Sequence, residues 1–282
     1  MARRDGTDSG DPGRGLVISG LTVRFGGLTA LQDVTLDVDP GQIVGIIGPN
    51  GAGKTTLFNA VCRFVPVAEG RIEYRGRSLE RVRPHQLVHM GIARTLQGLG
   101  LWHGLTVLEN VMAGAQVHAR ASFLSALLGL PGSDRDEDRL RARALEALDR
   151  LGVADRAASL PGNLPYGIQK RIVLARALVA EPSLILLDEP ASGLSRQDIQ
   201  HVGDLLKELR QRTAIALVEH HMDFVMSVCD HVVVLSFGRV VAAGTPDEVK
   251  ANPEVTEAYL GHEAETDGDG AVTTVEADAR GS

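Results

Sequence analysis

Two cysteines in 282 residues are too few for a disulfide framework. Cys62 and Cys229 both lie among apolar neighbours, which suits two buried thiols in a reducing compartment and gives a disulfide or metal reading little support. Long apolar runs are also missing. The longest, such as Val232-Val233-Val234-Leu235, are strand-sized, far short of the roughly eighteen residues that crossing a bilayer needs. Met1-Ala2-Arg3-Arg4-Asp5 carries charge with no apolar stretch behind it, so a secretory signal is not expected and residence in the cytosol is. Basic residues are outnumbered, and the net charge is −7. Residues 263–282 hold six acids against one arginine, which leaves the rest close to neutral and argues against an indiscriminate nucleic-acid binder. Aromatic residues make up only 4%, with a single tryptophan. The hydrophobic content, 44%, still supports a sizeable core in one large domain or two small ones.

Against this background one stretch stands out. Gly48-Pro49-Asn50-Gly51-Ala52-Gly53-Lys54-Thr55, followed by Thr56, fits the G-x-x-x-x-G-K-[ST] phosphate-binding loop. Its context fits too. Ile43 to Ile47 reads as a short buried strand, and Leu57, Ala60, Val61 and Phe64 fall on one face of a following helix. Glycines let several backbone N–H groups converge on one anion, and the helix start adds the positive end of its dipole. Lys54 supplies a cation for the β- and γ-phosphates, and Thr55 a hydroxyl for Mg²⁺.

The remaining chain divides by pattern. Residues 1–15 have almost nothing to bury and read as disordered. Leu16 to Val38 reads as antiparallel strands around Gly26-Gly27, and Gly70 to Tyr74 as one more. Residues 93–180 look helical: a stripe of Leu140, Ala144, Leu148 and Leu151, an apolar segment Phe123 to Leu128 read as internal packing, and a helix from Arg171 to Ala180 that stops at Pro182. Strand and helix then alternate again: Leu184 to Leu187, Ile199 to Arg210, Ala214 to Val218, Met222 to Val228, a hairpin across Phe237-Gly238, and short helices at Pro246 to Lys250 and Pro253 to Leu260. The expected fold is therefore α/β, with a nucleotide-binding core at 16–92 and 181–262, a helical insertion at 93–180 and an acidic tail at 263–282. Ligands of such folds bind at the carboxyl ends of the parallel strands.

The phosphate loop, Asp188-Glu189 and His220 all sit at such strand ends. Asp188 follows four apolar residues, as a magnesium-facing acid would, and Glu189 beside it can orient an attacking water. His220 and His221 end another strand, and either imidazole can reach a γ-phosphate; spacing alone does not choose between them. Gln97 lies where the α/β pattern gives way to helices, where its amide can reach a metal or its water. Phe25 can stack on a purine, although a lone strand aromatic is more often core. Trp102 reads as packing.

These stretches occur in the order of an ATP-binding-cassette (ABC) ATPase, which the chain resembles over about residues 16–262. The carrying residues are Gly48 to Thr55, Gln97, Asn163 to Arg171, Leu184 to Pro190 and His220. Within that superfamily it is most similar to the ATP-binding subunits of branched-chain amino acid importers, through Arg24 to Leu28, Arg94 to Gln97, Leu105 to Val111, Asn163 to Gln169 and Pro253 to Gly261. A lipopolysaccharide-export ATPase looks similar.

The resemblance implies a P-loop NTPase, RecA-like core with an N-terminal antiparallel β-subdomain and an inserted α-helical subdomain. It also implies ATP and Mg²⁺ as cofactors. Phe25 would stack on adenine, and Gly48, Pro49, Asn50, Gly51, Ala52, Gly53, Lys54, Thr55 and Thr56 would hold the phosphates. Thr55, Gln97 and Asp188 would face the metal, Glu189 would be the catalytic base, and His220, not His221, the switch histidine. Leu164, Pro165, Tyr166 and Gly167 form the signature motif, which would meet the γ-phosphate held by a second cassette. Expected partners are that second ATPase subunit, identical or different, separate integral membrane permease subunits and, indirectly, an external substrate-binding protein, with no nucleic acid. The expected location is the cytoplasmic face of the plasma membrane.

This chain departs from the pattern in two places. The signature usually carries Ser where Pro165 stands, and Pro removes a hydroxyl and a backbone donor. Ser195 occupies a place where Asp or Asn often bridges the subunits. An asymmetric pair of ATP sites is the expectation from these changes, and a low-turnover regulatory cassette is the rival reading. A cassette acting on RNA or the ribosome fits the near-neutral charge poorly.

Overall fold

The computed structural model describes residues 13–95, 98–119 and 131–255. Gln97, the segment Phe123 to Leu128 and the tail at 263–282 lie outside the described residues, as do most of the N-terminal segment and the last part of the expected helix at Pro253 to Leu260.

Two sheets carry the fold. The antiparallel one has the order β2-β1-β4-β5, formed by β1 (Leu16–Phe25), β2 (Leu28–Val38), β4 (Glu69–Tyr74) and β5 (Arg77–Ser78). The other has the order β10-β9-β3-β8-β7-β6. Its members are β3 (Ile43–Ile47), β6 (Ile92–Arg94), β7 (Leu184–Asp188), β8 (Ala214–Val218), β9 (His231–Ser236) and β10 (Arg239–Gly244). All pairs in it are parallel except β9 with β10.

The continuous apolar runs of β3, β7 and β8 follow from burial on both faces. Val44, Ile46, Leu184, Leu186, Ala216 and Val218 face a core shared with the antiparallel sheet and α1 (Lys54–Val61). Ile43, Ile47, Ile185, Leu187, Ile215 and Leu217 face the opposite core. That core also holds apolar residues of α2 (Val107–Gly114), α3 (Pro131–Arg150), α4 (Tyr166–Leu178), α5 (Arg196–Leu209) and α6 (Met222–Val228). A short α7 (Pro246–Ala251) follows β10. No helix among the described residues is long and apolar enough to cross a membrane.

The sequence pattern and the structure differ in four places. β6 takes Ile92, Ala93 and Arg94 into the core sheet beside β7, at the point where the helical insertion was expected to begin. A three-residue strand is too short for its alternation to register. α1 ends at Val61, earlier than the apolar stripe suggested: Arg63 takes a positive φ of 61°, and Phe64 turns out to solvent. α2 was not expected, yet Thr106 and Glu109 form its capping box. Trp102 is not packed away; it is half exposed, with the Arg176 guanidinium 5.2 Å from its ring centroid.

Candidate active site

Sheet register assembles the site. β8 lies between β3 and β7, so Asp188 pairs with Val218, which pairs with Ile46. The phosphate loop, the Asp188-Glu189 turn and the Glu219-His220-His221 turn therefore leave adjacent strands at one edge of the sheet. A cavity of about 560 Å³ opens there. Phe25, the loop residues Asn50 to Thr56, and Glu189 line it.

The loop is shaped by glycine. At Gly48 φ is +150°, and a Cβ would fall 2.1 Å from the carbonyl oxygen of Leu235. The Lys54 ammonium is folded back into the loop, donating to the carbonyls of Gly48 at 2.6 Å and Pro49 at 2.8 Å. Burial pushes its pKa down, opposed by the nearby Glu189 and Asp188 carboxylates. Thr55, in the first turn of α1, is exposed toward the cavity. Phe25 is 45% exposed at the end of β1, so it lines the cavity instead of joining the core.

Asp188 is buried at the end of β7. Arg94 donates to its Oδ2 at 3.1 Å and to Asn59 Oδ1 at 2.7 Å, and the Asp188 N–H donates to Thr95 Oγ1 at 3.0 Å. Its Oδ1 is buried with no hydrogen-bond partner among the described residues. Burial raises the Asp188 pKa, partly offset by Arg94. A buried carboxylate oxygen left over beside a phosphate-binding loop is what a hard divalent cation needs, so the residues fit Mg²⁺.

Glu189 takes a left-handed φ of 49°, its N–H donates to the Val218 carbonyl at 2.9 Å, and its Oε1 lies 3.8 Å from His220 Nδ1. His221 instead starts α6, with its ring centroid 4.4 Å from that of His220. Sequence reasoning missed Glu219, which is fully buried. Its Oε1 accepts the Ala191 N–H at 2.6 Å, and its Oε2 accepts the N–H groups of His220 at 3.0 Å and His221 at 3.3 Å. One carboxylate thus fixes both turns that flank the cavity. Arg94, the last residue of β6, was also missed as a site residue.

The signature segment starts α4 away from this cavity. Pro165 is the N-cap and provides no side-chain cap, so the N–H groups of Tyr166, Gly167 and Ile168 have no intrahelical acceptor. Tyr166 packs on Gly193, where a Cβ would fall 2.7 Å from its Cε1. Arg171 pairs with Asp198, and Ser195 caps α5 by accepting from the Asp198 N–H at 3.2 Å. The structure thus brings Phe25, Gly48 to Thr56, Asp188, Glu189 and His220 together, and leaves Pro165 and Tyr166 exposed elsewhere, with Leu164 packed against the core.

A phosphate loop, a strand-end Asp-Glu pair, a histidine turn and a helix-starting signature on a two-sheet core define an ABC-type cassette. The family description "ABC transporter" matches residues 31–192, and "Branched-chain amino acid ATP-binding cassette transporter" matches residues 239–265. The high-affinity branched-chain amino acid transport ATP-binding protein LivG of Salmonella typhimurium is 40% identical over 87% of this chain and 97% of its own length. BraF of Pseudomonas aeruginosa, described likewise, is 38% identical over 87% and 97%. The ADP conformation of MJ1267, an ABC-transporter cassette, superposes with a TM-score of 0.76 at 29% identity over 88% of this chain and 99% of that one. The dimeric post-hydrolysis state of MJ0796, bound to ADP and Pi, gives 0.71 at 25% over 82% and 98%. The chain belongs to the ABC transporter ATP-binding family and is an ATPase of the cassette class.

Proposed function

We propose that this chain is the ATP-hydrolysing subunit of an importer for branched-chain or related amino acids, working at the cytoplasmic face of the membrane with separate permease subunits. The observation that carries it is the single cavity lined by the phosphate loop and Glu189, beside a buried Asp188 with a spare oxygen. The 40% identity to LivG supports the substrate class. Phosphates would rest on Gly48 to Thr56, with Lys54 exchanging its loop carbonyls for phosphate oxygens and Phe25 stacking on the base. Thr55 and Asp188 would hold Mg²⁺, whose charge offsets that of the phosphates, and Gln97 is its remaining proposed ligand. Glu189 orients the attacking water and accepts its proton, while His220 steadies the γ-phosphate side.

Leu164 to Gly167 would close on the nucleotide of a second cassette, using the free N–H groups at the start of α4. Without the usual hydroxyl at Pro165, that site holds its phosphate less well, so the two sites are unequal when the second cassette is a different chain. A membrane subunit would dock in the groove of about 390 Å³ between β6, α2 and α4, which Phe64, Ala113, Val117 and Ala177 help to line.

The test is ATP-driven uptake of labelled leucine by the full complex in proteoliposomes. Uptake that requires Glu189 supports the importer reading. ATP turnover with no uptake of any branched-chain amino acid would favour the export-type alternative, and an assembled complex with little ATP turnover would favour the regulatory one.

A further inference from the structure

Lys170 is not part of the nucleotide cavity, yet it touches the residue that acts there. It sits one helical turn past Tyr166 on α4, and its Nζ lies 5.7 Å from the Tyr166 ring centroid. The same Nζ donates to the backbone carbonyl of Glu189. The Glu189 backbone is in the left-handed region, at φ 49°, a conformation that a non-glycine residue keeps only when its surroundings hold it. Besides Lys170, the Ser192 N–H donates to the same Glu189 carbonyl at 3.3 Å. The Val218 carbonyl holds the turn from the sheet side, and Glu219 holds Ala191 at 2.6 Å. Burial lowers the Lys170 pKa, opposed in part by the nearby carboxylates of Glu219, Glu189 and Asp188. A small, largely apolar cavity of about 30 Å³ adjoins Lys170 and Asp188. Tyr166 in turn packs on Gly193, in the loop after β7. Tyr166, Lys170 and Glu189 therefore form a continuous line of contact within one chain, from the outward-facing signature to the hydrolytic turn.

We propose that Lys170 is a positioning residue that ties the Glu189 peptide to the signature helix, so that closure of the signature on the partner cassette's nucleotide sets the orientation of the Glu189 carboxylate in this chain's own site. The inference rests on the paired-cassette reading above. Lys170 does not touch the reacting atoms; it acts through the Glu189 peptide. Loss of the ammonium leaves the Glu189 carbonyl with the longer Ser192 N–H contact alone, which loosens the left-handed peptide without unfolding the turn, and the water is then less well aligned.

The experiment compares Lys170→Met and Lys170→Arg in the fully assembled complex. It measures kcat, KM for ATP, the Hill coefficient, and affinity for a fluorescent ATP analogue. K170M is expected to lower kcat about tenfold or more, as misplacing a catalytic group does, to move the Hill coefficient toward one, and to leave analogue affinity within about twofold. K170R, which keeps a cation of similar reach, should recover most of kcat and the cooperativity. A K170M complex with wild-type kcat and wild-type cooperativity overturns the proposal, and so does loss of analogue binding in both variants, which marks Lys170 as merely structural. A wild-type complex that hydrolyses ATP with one cassette per assembly removes the paired-cassette reading itself, a result distinct from a K170M change without effect in a complex of two cassettes.

Discussion

Glu219 accepts the backbone N–H of Ala191 at 2.6 Å from a fully buried carboxylate. Its other oxygen holds His220 and His221, so the turn after β7 and the turn after β8 share one anchor. Replacing Glu219 by Ala leaves three N–H groups without their acceptor, and buried orphans cost about 1–3 kcal/mol each at most. The expected loss is about 2–4 kcal/mol, read as a lower midpoint in urea without a change in slope. Glu219→Gln, which keeps one acceptor oxygen, should fall between the two. A Glu219→Ala midpoint equal to wild type would contradict the anchoring role.

Asp188 offers a pH test. Burial raises its pKa above the usual carboxylate range, so in the nucleotide-free chain the ionised form is disfavoured by folding. The cost is present above the folded pKa, and it is relieved as the pH falls through that value toward the unfolded one, about 3.9. Asp188→Asn, which keeps an oxygen for Arg94, should melt higher than wild type at pH 7 and lose that advantage on acidification, while magnesium-dependent turnover is abolished. Thermal melts across pH 4–8 check the sign; an advantage that grows toward low pH would refute it.

Phe25 lines the nucleotide cavity with nearly half of its surface open. Stacking of a base on an aromatic ring contributes about 1–3 kcal/mol. Phe25→Ala should therefore weaken ATP binding by roughly 5- to 150-fold, and Phe25→Trp should restore it. Equal affinity for ATP and inorganic triphosphate in the wild type would show that no ring stacks there.

Unequal sites predict unequal mutants. Glu189→Gln in this chain should keep ATP bound and cut turnover by about 10²–10⁴-fold. The matching change in the partner cassette, whose nucleotide faces Pro165, should cost much less. Equal losses in steady-state ATPase assays would contradict the asymmetry.

The sequence made the core legible where one physical rule dominates. Ile43 to Ile47 and Leu184 to Leu187 are apolar at every position because both faces of their sheet are covered, and Gly48 must be glycine because the Leu235 carbonyl leaves no room for a Cβ. Other features depend on contacts between distant positions. Arg94 gains meaning only when β6 lies beside β7, and Glu219 only when its turn meets Ala191. Nothing local distinguishes either from an ordinary charged residue near a strand end. Phe64 misled because its spacing continued the α1 stripe, while the turn at Arg63 had already broken the helix. The Thr106–Glu109 capping box was a visible signal whose helix is too short for its apolar face to repeat.

The central claim is that Lys54 and Asp188 serve one magnesium nucleotide. The direct measurement is binding of a fluorescent ATP analogue to the purified full chain with and without Mg²⁺, in wild type, Lys54→Ala and Asp188→Asn. The account predicts tight binding in the wild type, loss of most affinity in Lys54→Ala, and an Asp188→Asn variant that still binds the analogue but no longer responds to Mg²⁺. Binding that ignores Lys54, or a magnesium response that survives in Asp188→Asn, would contradict it.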